Sequence, residues 1–200
     1  MKLIMSPASP FVRKVRVVLR EGGLADQVTE LPVTTTALDT AAEVRAANPL
    51  GKIPVLVRED GPAIHDSRVI TRYLDATFDL GLYPPSRLWE ILTLEATADG
   101  LMEAAVLMVY EHRFRPENLW SEAWTEAQWG KVTGALDAIE TRWMSHMAGP
   151  VNAGQIAVGC ALGYLDFRHA GRAWRDGRPA LAEWHAGFGA RPSMLDTAPE

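Results

Sequence analysis

One cysteine, Cys160, stands in a chain of 200 residues. A single thiol excludes an internal disulfide framework, and no cysteine pair exists for zinc binding or dithiol redox work. The five histidines (His65, His112, His146, His169 and His185) are never closer than sixteen positions apart, so metal-ligand spacing is missing. Positive charge is short as well. Twenty basic residues against 25 acidic ones give a formal net charge of −5, which argues against a nucleic-acid or anionic-membrane partner. No phosphate loop or dinucleotide fingerprint occurs. The apolar stretch after Lys2 is broken by Pro7 and Pro10 before a signal-peptide core forms. The longest run without Asp, Glu, Lys or Arg, residues 143–165, holds Pro150, Asn152, Gln155 and four glycines. It reads as a loop entering a buried helix, not a membrane span. A cytoplasmic globular protein is the expectation.

What is present divides in two. All seven tryptophans lie after position 88, and ten of the fifteen valines lie before position 70. Residues 1–80 carry ten basic and ten acidic side chains, leaving ten and fifteen for the remainder. Between the halves sits Gly81-Leu82-Tyr83-Pro84-Pro85-Ser86, a proline-punctuated linker. The domains expected are residues 1–80 and 88–200, joined by 81–87.

The first half alternates. Leu3-Ile4-Met5 suits a buried strand, and Ser9-Pro10 opens a helix with Phe11, Val15, Val18 and Leu19 on one face and Arg13, Arg16 and Arg20 off it. Residues 28–33 and 55–57 read as strands, residues 40–47 as a short helix, and the turn at residues 59–62 leads into a brief fourth strand. Asp66-Ser67 then opens a helix through Val69, Ile70, Tyr73 and Leu74. The order β-α-β-α-β-β-α implies a mixed sheet with helices on its faces. In the second half, Ile91, Leu94, Ala98, Leu101, Ala105 and Met108 step by threes and fours, as do Trp129, Val132, Leu136, Ile139, Trp143 and Met147. Two packed helices follow, joined through Pro116. Asn152 and Gln155 stand in N-cap and N3 relation, with Val151 and Ile156 at the staple positions of a third helix.

Two helix starts carry chemistry. Pro10 suits the first helical position, which makes Ser9 an N-cap. Asp66-Ser67 caps its helix, and that same helix end presents free N–H groups and a positive dipole to an anion. Cap and ligand site can coexist, because a serine hydroxyl has one donor and two acceptor lone pairs.

Taken together and in order, several segments resemble the cytosolic glutathione transferases. They are Ser6-Pro7-Ala8-Ser9-Pro10-Phe11-Val12-Arg13-Lys14, Asn48-Pro49-Leu50-Gly51-Lys52-Ile53-Pro54-Val55-Leu56, His65-Asp66-Ser67, the run from Gln155 to Asp166, and Ala190-Arg191-Pro192-Ser193. The resemblance is to bacterial members with Ser-Pro-Phe or Ser-Pro-Tyr at the first helix. It implies an α/β thioredoxin-like N-terminal domain, an all-α C-terminal domain and a homodimer. Glutathione is the implied co-substrate, with no metal and no nucleotide.

The resemblance also assigns roles. Pro54 is implied to be cis, turning the Ile53 backbone toward the cysteinyl part of glutathione. Asp66 and Ser67 would take the γ-glutamyl end, and Lys52 either reaches the glycyl carboxylate or is a solvated surface residue. Ser9 would donate a hydrogen bond to the thiolate, helped by the helix end and by Arg13, Lys14 and Arg16; Ser6 is the second candidate. Ser9-Pro10-Phe11-Val12 occupies the place of the glutaredoxin Cys-Pro-Tyr-Cys, so thiol-reductase chemistry has no nucleophile. Cys160 reads as a core residue. Phe11, Met102, Val106, Val109 and Tyr110 are the nominated wall of a hydrophobic electrophile pocket. Helix 66–78, through Arg68, Arg72 and Tyr73, and helix 86–110, through Glu90, Glu95 and Met102, are the expected dimer contacts. Two functions follow: a glutathione transferase, or a non-catalytic binding or stress-response protein on the same scaffold.

Overall fold

The computed structural model describes all 200 residues, which form two compact units: Met1–Pro85 with Pro192–Glu200, and Ser86–Arg191. In the first unit, β1 (Lys2–Met5), α1 (Pro10–Glu21), β2 (Thr29–Pro32), α2 (Ala42–Ala47), β3 (Val55–Val57) and α3 (Ser67–Phe78) follow in order. The sheet order is β2-β1-β3, with β1 parallel to β2 and antiparallel to β3. Leu3, Ile4 and Met5 are all buried, as a central strand covered on both faces requires. Ile4, Val44 and Val55 form the core beneath α2. Alternation sends Leu3, Met5 and Leu56 to the opposite face. There α1 and α3 pack on each other.

Two features of this unit differ from expectation. The fourth strand is reduced to one bridge, in which Leu56 and Ile64 exchange both backbone hydrogen bonds at 2.9 Å. And α1 is buried nearly all round, Arg13 and Lys14 included. The reason is the C-terminus. Instead of staying with the helical domain, Pro192–Glu200 packs with the first unit, through α8 (Pro192–Leu195). An Arg13 Nη donates to the Met194 carbonyl at 2.9 Å, and Ser193 donates to Glu21. The linker is tied down too: Leu82 N–H donates to Asp75 Oδ1 at 2.7 Å, and the hydroxyls of Thr71 and Tyr83 share a hydrogen bond of 2.8 Å.

The second unit is helical. α4 (Leu88–Phe114) packs on α5 (Glu122–Ala138) and on α6 (Ala153–Arg168), with α7 (Pro179–Gly189) against α6. The periodic apolar residues of α4 are buried, as are Val132, Leu136 and Ile139 after it. α6 is buried almost throughout, Cys160 among its residues. Its Asn152 cap accepts from Gln155 N–H at 3.2 Å, and Gln155 Nε2 donates to the Met147 carbonyl at 3.0 Å. The expected single helix through Met147 stops at Ala138, giving way to a π turn (Ile139–Trp143) and a 3₁₀ turn (Met144–His146). Within that stretch Glu140 accepts the Ala180 and Leu181 amides at the start of α7, a long-range cap that spacing does not reveal. No helix is long and apolar enough to cross a membrane.

Candidate functional site

The strand register brings the separated motifs to one end of the sheet. Ile4 faces Val55 across β1 and β3; carried two residues outward, this register sets Ser6 opposite Ile53. The Leu56–Ile64 bridge, carried the same distance, sets Asp66 opposite Pro54. The Ser6–Ser9 turn, Ile53-Pro54 and Asp66-Ser67 therefore gather where β1 ends and β3 begins.

Each piece is held locally. Ser9 has extended backbone and caps α1, its Oγ accepting from Val12 N–H at 3.4 Å, with Pro10 at the first helical position. Arg13 N–H is bonded to the Ser9 carbonyl. Phe11 N–H is then the remaining backbone donor of the first turn. One acceptor site of Ser9 is used by the cap, which leaves its hydroxyl proton to donate. The cations expected to help are partly spoken for: Arg16 pairs with Glu30 at 2.9 Å and Arg20 shares the same carboxylate.

The Ile53-Pro54 bond is cis, as is His65-Asp66. Asn48 shapes the approach to Pro54: buried, it donates from Nδ2 to the Lys52 carbonyl at 2.8 Å and accepts from Leu50 N–H at 2.9 Å. Sequence reasoning missed this residue, although Asn-Pro is a turn signal. Gly51, at φ 64°, completes the turn in a left-handed conformation that glycine adopts without strain. Ile53 is half-buried and Lys52 exposed.

At α3, Asp66 Oδ1 accepts from Arg68 N–H at 3.0 Å and Val69 N–H at 3.4 Å. Ile70 N–H goes to the Asp66 carbonyl. Ser67, buried, supplies the one first-turn amide that the cap does not take. Partial burial pushes the Asp66 carboxyl up, but the Arg68 guanidinium and the two amides outweigh it and hold its pKa below the ordinary value. Here a carboxylate ligand would meet an amide, a hydroxyl and a helix dipole. Of the nominated electrophile wall, Met102 is fully buried core, Val106 and Val109 are half-buried and Tyr110 is exposed. No group of three or more His, Cys, Asp or Glu side chains is placed to hold a metal ion.

This arrangement has known counterparts. Residues 8–77 match the family model for the glutathione S-transferase N-terminal domain, and residues 122–187 that for the C-terminal domain. The chain belongs to the glutathione S-transferase family. An uncharacterised GST-like protein of Escherichia coli (strain K12), YibF, is 35% identical over 205 aligned positions, covering 100% of this chain and 98% of its own. A Pseudomonas fluorescens Pf-5 glutathione transferase family member with bound glutathione is 41% identical, with a TM-score of 0.96 over 100% of this chain and 98% of that one. A second structure, also of a P. fluorescens Pf-5 family member, holds S-(propanoic acid)-glutathione and gives 0.91 at 41% identity, covering both chains fully. A glutathione S-transferase of Methylobacillus flagellatus with glutathione bound is 37% identical at a TM-score of 0.87, covering 100% and 99%.

Proposed function

We propose that this protein is a glutathione transferase that binds glutathione, stabilises its thiolate and directs it onto a small hydrophobic electrophile in the cytoplasm. The gathering of the Ser9 cap, Ile53-Pro54 and the Asp66-Ser67 helix start at one sheet end carries the reading. It offers a donor at a helix N-terminus, an extended backbone edge and a carboxylate site, matching the three parts of a thiol tripeptide.

In this reading Asp66 faces the ammonium group and Ser67 the carboxylate of the γ-glutamyl end. Ile53 pairs strand-like with the cysteinyl residue, and Lys52 reaches toward the glycyl carboxylate. Ser9 donates to the sulfur. A free thiol near pKa 8.5 is mostly protonated at neutral pH, so a donor that favours the anion raises the nucleophile's concentration. The sulfur then bonds to the electrophilic carbon, and the leaving group or a solvent proton balances the charge. The glutathione held by the P. fluorescens and M. flagellatus relatives supports the ligand, and S-(propanoic acid)-glutathione supports a sulfur carrying a small substituent. A homodimer is part of the proposal.

Retention on glutathione-agarose followed by turnover of a panel of model electrophiles tests the reading. Elution by free glutathione and catalysed conjugation are the expected results. Retention without turnover of any electrophile would establish the non-catalytic alternative.

A further inference from the structure

Arg13 lies on α1 one helical turn after Ser9, with its N–H bonded to the Ser9 carbonyl. It is only 6% exposed, yet a guanidinium keeps its charge in proteins. One Nη donates to the Met194 carbonyl at 2.9 Å, Nε has no partner, and no carboxylate is paired with the group. For stability alone this is a poor arrangement. Burying an ion without a counter-ion is strongly unfavourable, and an apolar side chain of similar volume in place of a buried charge is often neutral or stabilising. Helix positions four apart share a face, and side chains lean back toward the N-terminus. Both rules direct the Arg13 charge toward the turn that Ser9 caps.

The contact that holds Arg13 is a built one. Ser193 donates to Glu21 at the far end of α1, Thr197 Oγ1 donates to the Ser193 carbonyl at 2.7 Å, and Asp196 N–H bonds the Pro192 carbonyl at 2.9 Å. Ser193, Met194 and Thr197 are all buried. The tail is thus a closed turn pinned to α1 at two places, Glu21 and Arg13. Arg16 and Arg20 on the same helix differ, because the Glu30 carboxylate neutralises them.

We propose that this C-terminal tail is a positioning element for the thiolate: by holding Arg13 out of water, it keeps an uncompensated positive charge one turn from the Ser9 cap, and the glutathione sulfur is its missing counter-ion. The inference rests on the transferase reading, and its residues act without touching the sulfur. A charge kept from water is felt more strongly than an exposed one, and salt screens it less.

Ultraviolet difference titration of bound glutathione reads the thiol pKa, and thermal denaturation beside it reads stability. Arg13→Met should raise that pKa by about one unit, with KM for glutathione little changed and the melting temperature unchanged or higher. Arg13→Lys keeps the charge and should shift the pKa by less than half as much. A chain ending at Arg191 lets water reach the guanidinium. Its thiol pKa should rise, and potassium chloride should raise it further, whereas the wild-type value should hardly respond to salt. If the shortened chain does not fold, Ser193→Ala and Thr197→Val, which loosen the tail without removing it, should move the pKa in the same direction. A tail that only stabilises the fold would lower the melting temperature and leave the thiol pKa of the folded molecules where it was. That result overturns the proposal, as do equal pKa shifts in Arg13→Met and Arg13→Lys. If the wild type binds no glutathione, the transferase reading itself falls and takes this one with it.

Discussion

At Ser9 two roles meet on one oxygen. The cap bond from Val12 N–H makes Ser9→Ala cost about 0.5–2 kcal/mol of stability whatever the function. A hydrogen bond to an ionised sulfur is worth about 1.5–3 kcal/mol, which is roughly one to two pKa units. The alanine variant should therefore raise the apparent thiol pKa of bound glutathione and shift the kcat/KM profile upward, with much of the rate recovered in alkaline buffer. Ultraviolet difference titration of the thiolate checks this. Identical curves would move the role to Ser6 or to the Phe11 amide. Asp66 and Ser67 would act far from the sulfur, so Asp66→Ala and Ser67→Ala should raise KM for glutathione with little change in kcat. Asp66→Asn separates charge from cap, since asparagine caps as well as aspartate. The folded-state pKa of Asp66 is depressed, so its charge contributes stability above the unfolded value of about 3.9 and loses it as pH falls through the folded value. Denaturant midpoints of wild type and Asp66→Asn should differ at neutral pH and converge on acidification. A gap that widens in acid would contradict this sign.

Among the elements, those with a local cause were legible. The Leu3-Ile4-Met5 run, the Ser9-Pro10 and Asp66 starts, the Asn152 cap and the stepping apolar residues of α4 each declare themselves within a few positions. Features created at long range did not. The burial of Arg13 depends on a tail about 180 residues away. Glu140 ends up capping α7, and Glu95 and Met102 are interior where the sequence promised a surface contact. Glycines show the same division. Gly154 and Gly134 both sit within helices, where alanine is intrinsically better by about 0.8–1 kcal/mol. A Cβ at Gly154 would lie 3.1 Å from Leu94 Cδ2 and 3.2 Å from the Ile91 carbonyl, both on the packed α4. One at Gly134 meets nothing within 4 Å. Gly134→Ala should thus stabilise the protein by up to about 1 kcal/mol, whereas Gly154→Ala should destabilise it by about 1–3 kcal/mol through overpacking. Thermal denaturation of the two variants checks both signs.

For the whole molecule, the open question is what its exposed apolar side chains are for. The expected two-fold contact named Arg68, Arg72, Tyr73, Glu90, Glu95 and Met102. Glu95 and Met102 are buried within the protomer and unable to serve, while Arg68, Arg72 and Glu90 are exposed. An apolar neighbour in sequence takes their place: Trp89 on α4 is 75% exposed. Scattered surface apolar residues need no explanation, but an indole with three-quarters of its area in water is costly when a partner surface can cover it. Closed two-fold pairs are the commonest oligomer, and each such patch meets its own copy twice. Light scattering at micromolar concentration should then give twice the 22.0 kDa chain mass. Trp89→Glu would place two unpaired carboxylates in that contact, and burying a charge without a counter-ion is strongly unfavourable. This variant should run as a monomer while keeping the wild-type helical circular dichroism, since Trp89 contributes little to the core of its own chain. Wild-type fluorescence should redden on dilution as Trp89 returns to water, and the variant's should not change. A wild type that scatters as a monomer, or a Trp89→Glu variant that stays dimeric, would place the self-association surface elsewhere or remove it.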